Sequence, residues 1–168
     1  MSAPTHKPII DYFEFLNAAS VHFQENSFFR MDLQEIFDSF RSGISFPAMA
    51  VESPEGDAEG SDITSSALTR TVAFSIYQLP QAGNAAQQNE MLDECERIGL
   101  KILARMRYDA RQPGHLLYNR FKVSSAKWMK VGPLFTEQLY GYRFTVEIEG
   151  GESLKVDAAD WKDIDLVC

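Results

Sequence analysis

Residues 84–107 read NAAQQNEMLDECERIGLKILARMR, and this stretch decides the fold. Met91, Cys95, Ile98, Ile102 and Met106 recur at the three- and four-residue steps of one helical face. Leu92, Gly99 and Leu103 widen that face into a stripe suited to lying on a sheet. Asn84 is placed to cap the first turn, with Gln87 reaching back in a capping-box arrangement. Asp93 and Arg97 pair on the exposed side. Glu90, Asp93, Glu94 and Glu96 precede Lys101, Arg105 and Arg107, the charge order that the helix dipole favours.

Downstream of this helix the period changes. Pro113-Gly114 is turn chemistry, after which Leu116–Val123 and Ala126–Val131 read as strands, the first with Leu117, Phe121 and Val123 inward. Tyr140–Glu149 alternates most cleanly, with Tyr142, Phe144, Val146 and Ile148 facing one way. Gly150-Gly151 predicts a turn, Leu154–Val156 a short strand and Ala158–Ile164 a helical turn.

Upstream, Phe46–Glu52 and Ser66–Leu79 read as the arms of a β-hairpin, with Pro47 confined to a strand start or an edge. The stretch between them is rich in Gly, Pro and acid and predicts a flexible acidic loop over 53–64. The N-terminal third predicts two helices. The first opens at Pro8, carries the stripe Ile9, Phe13, Leu16, Ala19 and Phe23, and fades near Glu25 or Asn26. The second spans Asp32–Ser42 and stops at Gly43. The expectation is a single α+β domain over 1–168. It has an antiparallel or mixed sheet of about five strands, with the N-terminal helix and the long central helix packed on one face, and an extended C-terminal tail over 157–168.

The net charge of −8 argues against general nucleic-acid binding, which needs a basic footprint. The charge is segregated. From Glu52 to Asp62 the charged residues are all acidic; from Lys101 to Lys130 they are basic except Asp109; the tail from Glu149 turns acidic again. The helix dipole accounts for part of this, but the basic excess continues through Arg111, Arg120, Lys122, Lys127 and Lys130, where no dipole explains it. These residues, with Trp128, and the acidic Glu55, Asp57 and Glu59 are the candidate assembly surfaces, a positive and a negative side able to meet on successive copies. A solvated charged surface is the plain alternative.

Chemistry is not announced. His6, His22 and His115 fit no metal-ligand spacing and read as surface or capping residues. Asp57, Glu59 and Asp62 miss the calcium-loop spacing. No nucleophile elbow or phosphate-cradling glycine pattern occurs. The expectation is a non-enzyme with no cofactor and no metal. Cys95 reads as a buried apolar residue, and two cysteines make no disulfide framework. No apolar run is long enough to span a bilayer, and Met1–Lys7 lacks the apolar core of a signal peptide, so synthesis and folding in the cytoplasm are expected.

The element order of N-terminal helix, Pro-containing strand at Phe46-Pro47-Ala48, hairpin, long amphipathic helix and antiparallel meander resembles the tail-terminator (tail-completion) proteins of long-tailed phages. It also resembles the cap proteins of contractile injection systems. Phe28-Phe29-Arg30-Met31-Asp32-Leu33, Asp93-Glu94-Cys95-Glu96-Arg97-Ile98-Gly99 and Tyr140-Gly141-Tyr142-Arg143 are similar to proteins encoded beside phage-like tail genes in Bacteroidetes-type bacteria. The resemblance implies a homo-oligomeric ring, hexameric in that family, which sits on the tail tube or sheath, stops its growth and is incorporated into the virion or tail-like particle. The alternatives are a neck or head–tail connector of the same particles, and a small nucleic-acid or ligand-binding module using Arg120, Lys122 and Trp128.

Overall fold

A computed structural model describes residues 4–30, 43–59, 66–81, 83–134, 139–152, 154 and 156–163. The helix expected over Asp32–Ser42 lies outside them. Helix α1 spans His6–Ala19, followed by strands β1 (Phe28–Arg30), β2 (Ala48–Val51), β3 (Glu55–Glu59) and β4 (Ser66–Gln78). Helix α2 spans Ala85–Asp109, and β5 (Lys127–Leu134) and β6 (Leu139–Glu152) complete the helices and strands of the described residues, which also hold two 3-10 turns. The sheet order is β1-β2-β4-β6-β5, with β3 also paired to β4. β1 runs parallel to β2 and every other pairing is antiparallel, so the sheet is mixed and the fold α+β.

Both helices lie on one face. Ile9, Phe13 and Leu16 of α1 and Cys95, Ile98, Ile102, Leu103 and Met106 of α2 share a core with Met49, Val51, Val72, Phe74, Ile76, Phe144, Val146 and Ile148 of the sheet. Phe74 and Phe144 are register partners whose rings stack at 5.1 Å, and Trp128 of β5, the next partner, stacks on Phe144 at 6.2 Å. Gly99 faces this row: a Cβ there would overlap the Phe144 ring. The missing side chain is what lets the helix sit this low on the sheet. At the start of α2, the side-chain oxygen of Asn84 accepts the Gln87 N–H at 3.0 Å as expected, whereas the Gln87 side chain accepts from Gln81 N instead of closing a capping box.

Several expectations are corrected. α1 ends at Ala19, not near Glu25, because Ser20 is extended and its hydroxyl accepts the His22 N–H at 3.4 Å, a local bond that competes with the helix. Ala19 is exposed, while Phe23 still packs on the core. β1 was not expected; three residues are too short to show a period, and its Phe28 and Phe29 pack on opposite faces of the sheet. The 53–64 loop contains β3. Val51 to Glu55 is four steps along one arm against three from Phe74 to Thr71 on β4, so β2 and β3 are one hairpin arm interrupted by a bulge. Gly56 belongs there because the Arg70 side chain lies over it.

The strand expected over Leu116–Val123 is a chain of tight turns. Asn119 adopts φ 57°, a left-handed conformation that breaks extension and that asparagine tolerates. Leu117 and Phe121 are buried as expected, with Phe121 making a single bridge to Ile148, but Val123 is exposed at the start of a 3-10 turn. Gly150-Gly151 does not turn; β6 runs on to Glu152 because β4 is long enough to pair with it throughout. Leu154 and Val156 are exposed and outside any strand, and the helical turn is the 3-10 turn Ala158–Asp160.

The second sheet face is also partly covered. Ala50, Tyr77 and Leu139 form a small cluster with Phe29, Phe46, Val131 and Leu134 against it. Below that cluster the face is polar, and Arg143 there grips Glu52 with Nε at 2.6 Å and Nη2 at 2.8 Å while Nη1 reaches Thr145.

The contact at Gly99 is directly testable. Gly99→Ala gains helix propensity of roughly 1 kcal/mol, yet overpacking a core costs about 1–3 kcal/mol. Phe144 cannot swing aside between two stacked rings, so a net loss of stability is expected in urea denaturation. Gly99→Ala combined with Phe144→Leu should lose less than the sum of the single variants. Strict additivity would show that the helix does not rest on this ring.

Candidate assembly interface

The candidate basic residues separate into two groups. Arg111 is exposed on the turn after α2. Arg120 is half-buried and donates from Nη1 to the Leu116 carbonyl at 3.0 Å, and Lys122 pairs with Glu149 at 2.9 Å. Lys122 is therefore offset by a carboxylate within the chain, and Arg120 has one guanidinium nitrogen already engaged. Lys127, Trp128 and Lys130 stand together on β5. Trp128 stacks on Phe144 and donates its indole N–H to Glu96 on α2 at 2.8 Å, fastening the strand to the helix while leaving the indole 45% exposed. Lys130 lies over the Tyr140 ring at 5.8 Å, a cation–π contact on the helix face. Lys127 is exposed on the opposite face, beside Met129.

The acidic group is on β3, where Glu55 and Asp57 are exposed and Glu59 ends the strand. Their register partners Thr71, Thr69 and Ala67 alternate with the helix-facing positions of β4, so Glu55 and Asp57 face away from the helices, as Lys127 does. Among the described residues β3 pairs only with β4 and β5 only with β6. Among the described residues, therefore, each strand has one main-chain edge without a ladder partner, on opposite sides of one sheet, one acidic and one basic. Free edges are a template for further pairing, and charged side chains on them decide which pairing is allowed.

A second polar cluster was not legible in the sequence. Asp109, at the end of α2, is 2% exposed. It accepts from the Tyr12 hydroxyl at 2.8 Å and from Arg105 Nε at 2.9 and 3.0 Å, with His115 Nε2 3.9 Å away. His115 is half-buried and caps the local backbone, the second of the two roles expected of it. Its Nδ1 accepts the Leu117 N–H at 3.1 Å, which leaves Nε2 to carry the proton of the neutral ring and to face Asp109. The spacing Arg105–Asp109 is a helix pair visible in sequence; its contact with Tyr12, 97 residues away, is not. The cluster ties α1 to the C-terminal end of α2. Burial, and then the bond to Asp109, push the Tyr12 phenol well above the ordinary tyrosine value.

The remaining observations bear on other chemistries. Cys95 is buried, and burial pushes its thiol up to about 12, so it is inert at neutral pH. Among the described residues no group of His, Cys, Asp and Glu is arranged to hold a metal ion, and no helix is long and apolar enough to cross a membrane. An open groove of about 700 Å³ runs along the outer side of α2 past Glu90, Asp93, Glu94 and Arg97. What the chain defines at this point is an α+β domain with acidic side chains exposed on β3 and basic ones on β5. No known family model matches it, and no characterised protein matches its sequence significantly.

The Tyr12–Asp109 bond makes a pH prediction. A phenol that the fold keeps protonated contributes stability that is fully present below the unfolded tyrosine pKa of 10.0 and is lost as pH rises above it. Wild-type stability in urea should therefore fall above about pH 10, and Tyr12→Phe, already less stable at neutral pH, should fall less steeply. Equal slopes would mean that the fold does not hold the phenol protonated.

Proposed function

We propose that this chain is a structural assembly protein that forms a ring and caps or terminates the tube or sheath of a phage tail or contractile injection system. The observation that carries the reading is the placement of opposite charge on two strands at opposite sides of one sheet, Glu55 and Asp57 on β3 and Lys127 and Lys130 on β5, each strand with one ladder partner among the described residues. A surface patch that meets a different patch on the next copy generates a ring when the rotation closes. Isologous association would bring like charges together at these edges, whereas head-to-tail association brings opposite ones together. The element order supports assigning such a ring to a tail, because it resembles the terminator and cap proteins. The partners of this reading are further copies of the chain and the tube or sheath proteins below the ring. No residue need perform a reaction.

Imaging of tail-like particles from a strain lacking the gene tests the role. Overlong or ragged tubes are expected; tubes of normal, uniform length would overturn it. Complementing that strain with the Lys127→Glu, Lys130→Glu variant should leave the tubes irregular although the purified variant keeps the thermal stability of the parent, since both lysines are exposed. Full rescue by this variant would reduce the basic strand to a solvated face.

A further inference from the structure

Resting on the assembly reading, we infer that the partner of the β5 edge is the β3 edge of a second copy, joined main chain to main chain so that one sheet continues from subunit to subunit. Three features of the fold lead there. The first is direction. β3 and β6 run opposite to β4, and β5 runs opposite to β6, so β5 and β3 point in opposite senses within one molecule. Copies repeated in the same orientation therefore present β3 antiparallel to β5, the pairing that two neighbouring edges form most readily.

The second feature is the parity of side chains. Lys127 pairs with Thr145, which pairs with Ala73; Glu55 and Asp57 pair with Thr71 and Thr69. Ala73, Thr71 and Thr69 are alternate residues on the helix-free face of β4, so Lys127 and the two acids belong to the same face. In a continuous sheet, cross-strand neighbours on one face lie about 5 Å apart, within reach of a lysine and a carboxylate. The helix-face positions of β3 are Gly56 and Ala58, with the Arg70 side chain lying over Gly56. Trp128, held by Glu96 at 2.8 Å, keeps β5 fixed before the partner arrives, which lowers the ordering cost of docking.

The third feature is the stagger. The middle of β3, Asp57, lies level with Glu149 of β6, whereas Lys127 of β5 lies level with Thr145. Setting Lys127 opposite Asp57 gives an offset along β6 of roughly 14 Å, against roughly 19 Å for the four strand spacings from one β3 to the next. Joining the edges therefore tilts the strands by about 35° from the perpendicular to the direction of repeat, within the range of tilts found in closed sheets. The stagger is compatible with a closed ring.

A cysteine pair tests the contact. The full chain carrying Asp57→Cys and Lys127→Cys in a Cys168→Ser background, oxidised at high protein concentration, is expected to give a ladder of disulfide-linked multimers. Cys95, buried, does not compete. Either single variant should stay monomeric, because each edge meets the other edge and not its own copy. Lys127→Glu should abolish co-assembly with wild-type β3, and Glu55→Lys with Asp57→Lys on the partner should restore it. Absence of a ladder, efficient dimers from a single-cysteine variant, or failure of the reciprocal swap would each overturn the edge pairing. The two claims fail separately. A ladder with normal tubes in the deletion strain keeps the pairing and removes the tail role. Overlong tubes without a ladder keep the tail role and remove the pairing.

Discussion

The contact between Gly99 and Phe144 is the constraint on which the remaining structure depends. Phe144 stacks between its two register partners, Phe74 and Trp128, so one aromatic row crosses three strands. The helix can approach this row only where it carries no side chain, and Gly99 is that place. Once α2 is seated there, its carboxylates come within reach of the sheet: Glu94 accepts from Gln78 of β4 at 2.6 Å and Glu96 from Trp128 of β5. Its last turn brings Asp109 to Tyr12, which fixes α1 on the same face. Packing thus determines where the polar groups meet, and the polar groups then bar other packings, since a buried carboxylate without its partners costs several kcal/mol.

The same seating explains why β5 can act as an edge. An unpaired terminal strand frays unless something beside its ladder holds it. Here Trp128 is stacked on one side and hydrogen-bonded to the helix, while Lys127 and Met129 remain exposed on the other. β3 is kept in place differently, as the continuation past a bulge of an arm whose upper half is buried on both faces. Each edge is supported by the core and presents its own sign of charge. Lysines on an edge usually serve to prevent pairing; set against an acidic edge in the antiparallel sense they select one partner.

Long elements were legible in the sequence because burial imposes a period on them. The stripe of α2 and the alternation of β6 each run over enough residues for one face to declare itself, and the α+β class followed. Along β4, Ala73, Ser75 and Tyr77 are buried as well as Val72, Phe74 and Ile76; small and amphipathic residues do not reveal that a second layer covers them. Glu55–Glu59 has no strand-like composition and is extended only because β4 supplies a partner ladder, information that lies eight to sixteen residues away. Leu116–Val123 failed in the opposite way: its apolar spacing suits a strand, but one left-handed residue, Asn119, turns the chain. Of the candidate site, the charges themselves were visible. Their gathering on opposite edges, and the loss of Arg120 and Lys122 to partners within the chain, depended on strand order, which no local pattern encodes.

Hydrogen exchange of the main-chain amides tests the central claim most directly, because edge pairing changes the main chain whatever the side chains do. Exchange is compared between dilute protein and the assembled form. Peptides covering 55–59 and 127–131 should gain protection together, while those along the exposed side of α2 stay unchanged. Protection confined to one of the two edges, or appearing only on the helix face, would contradict the account.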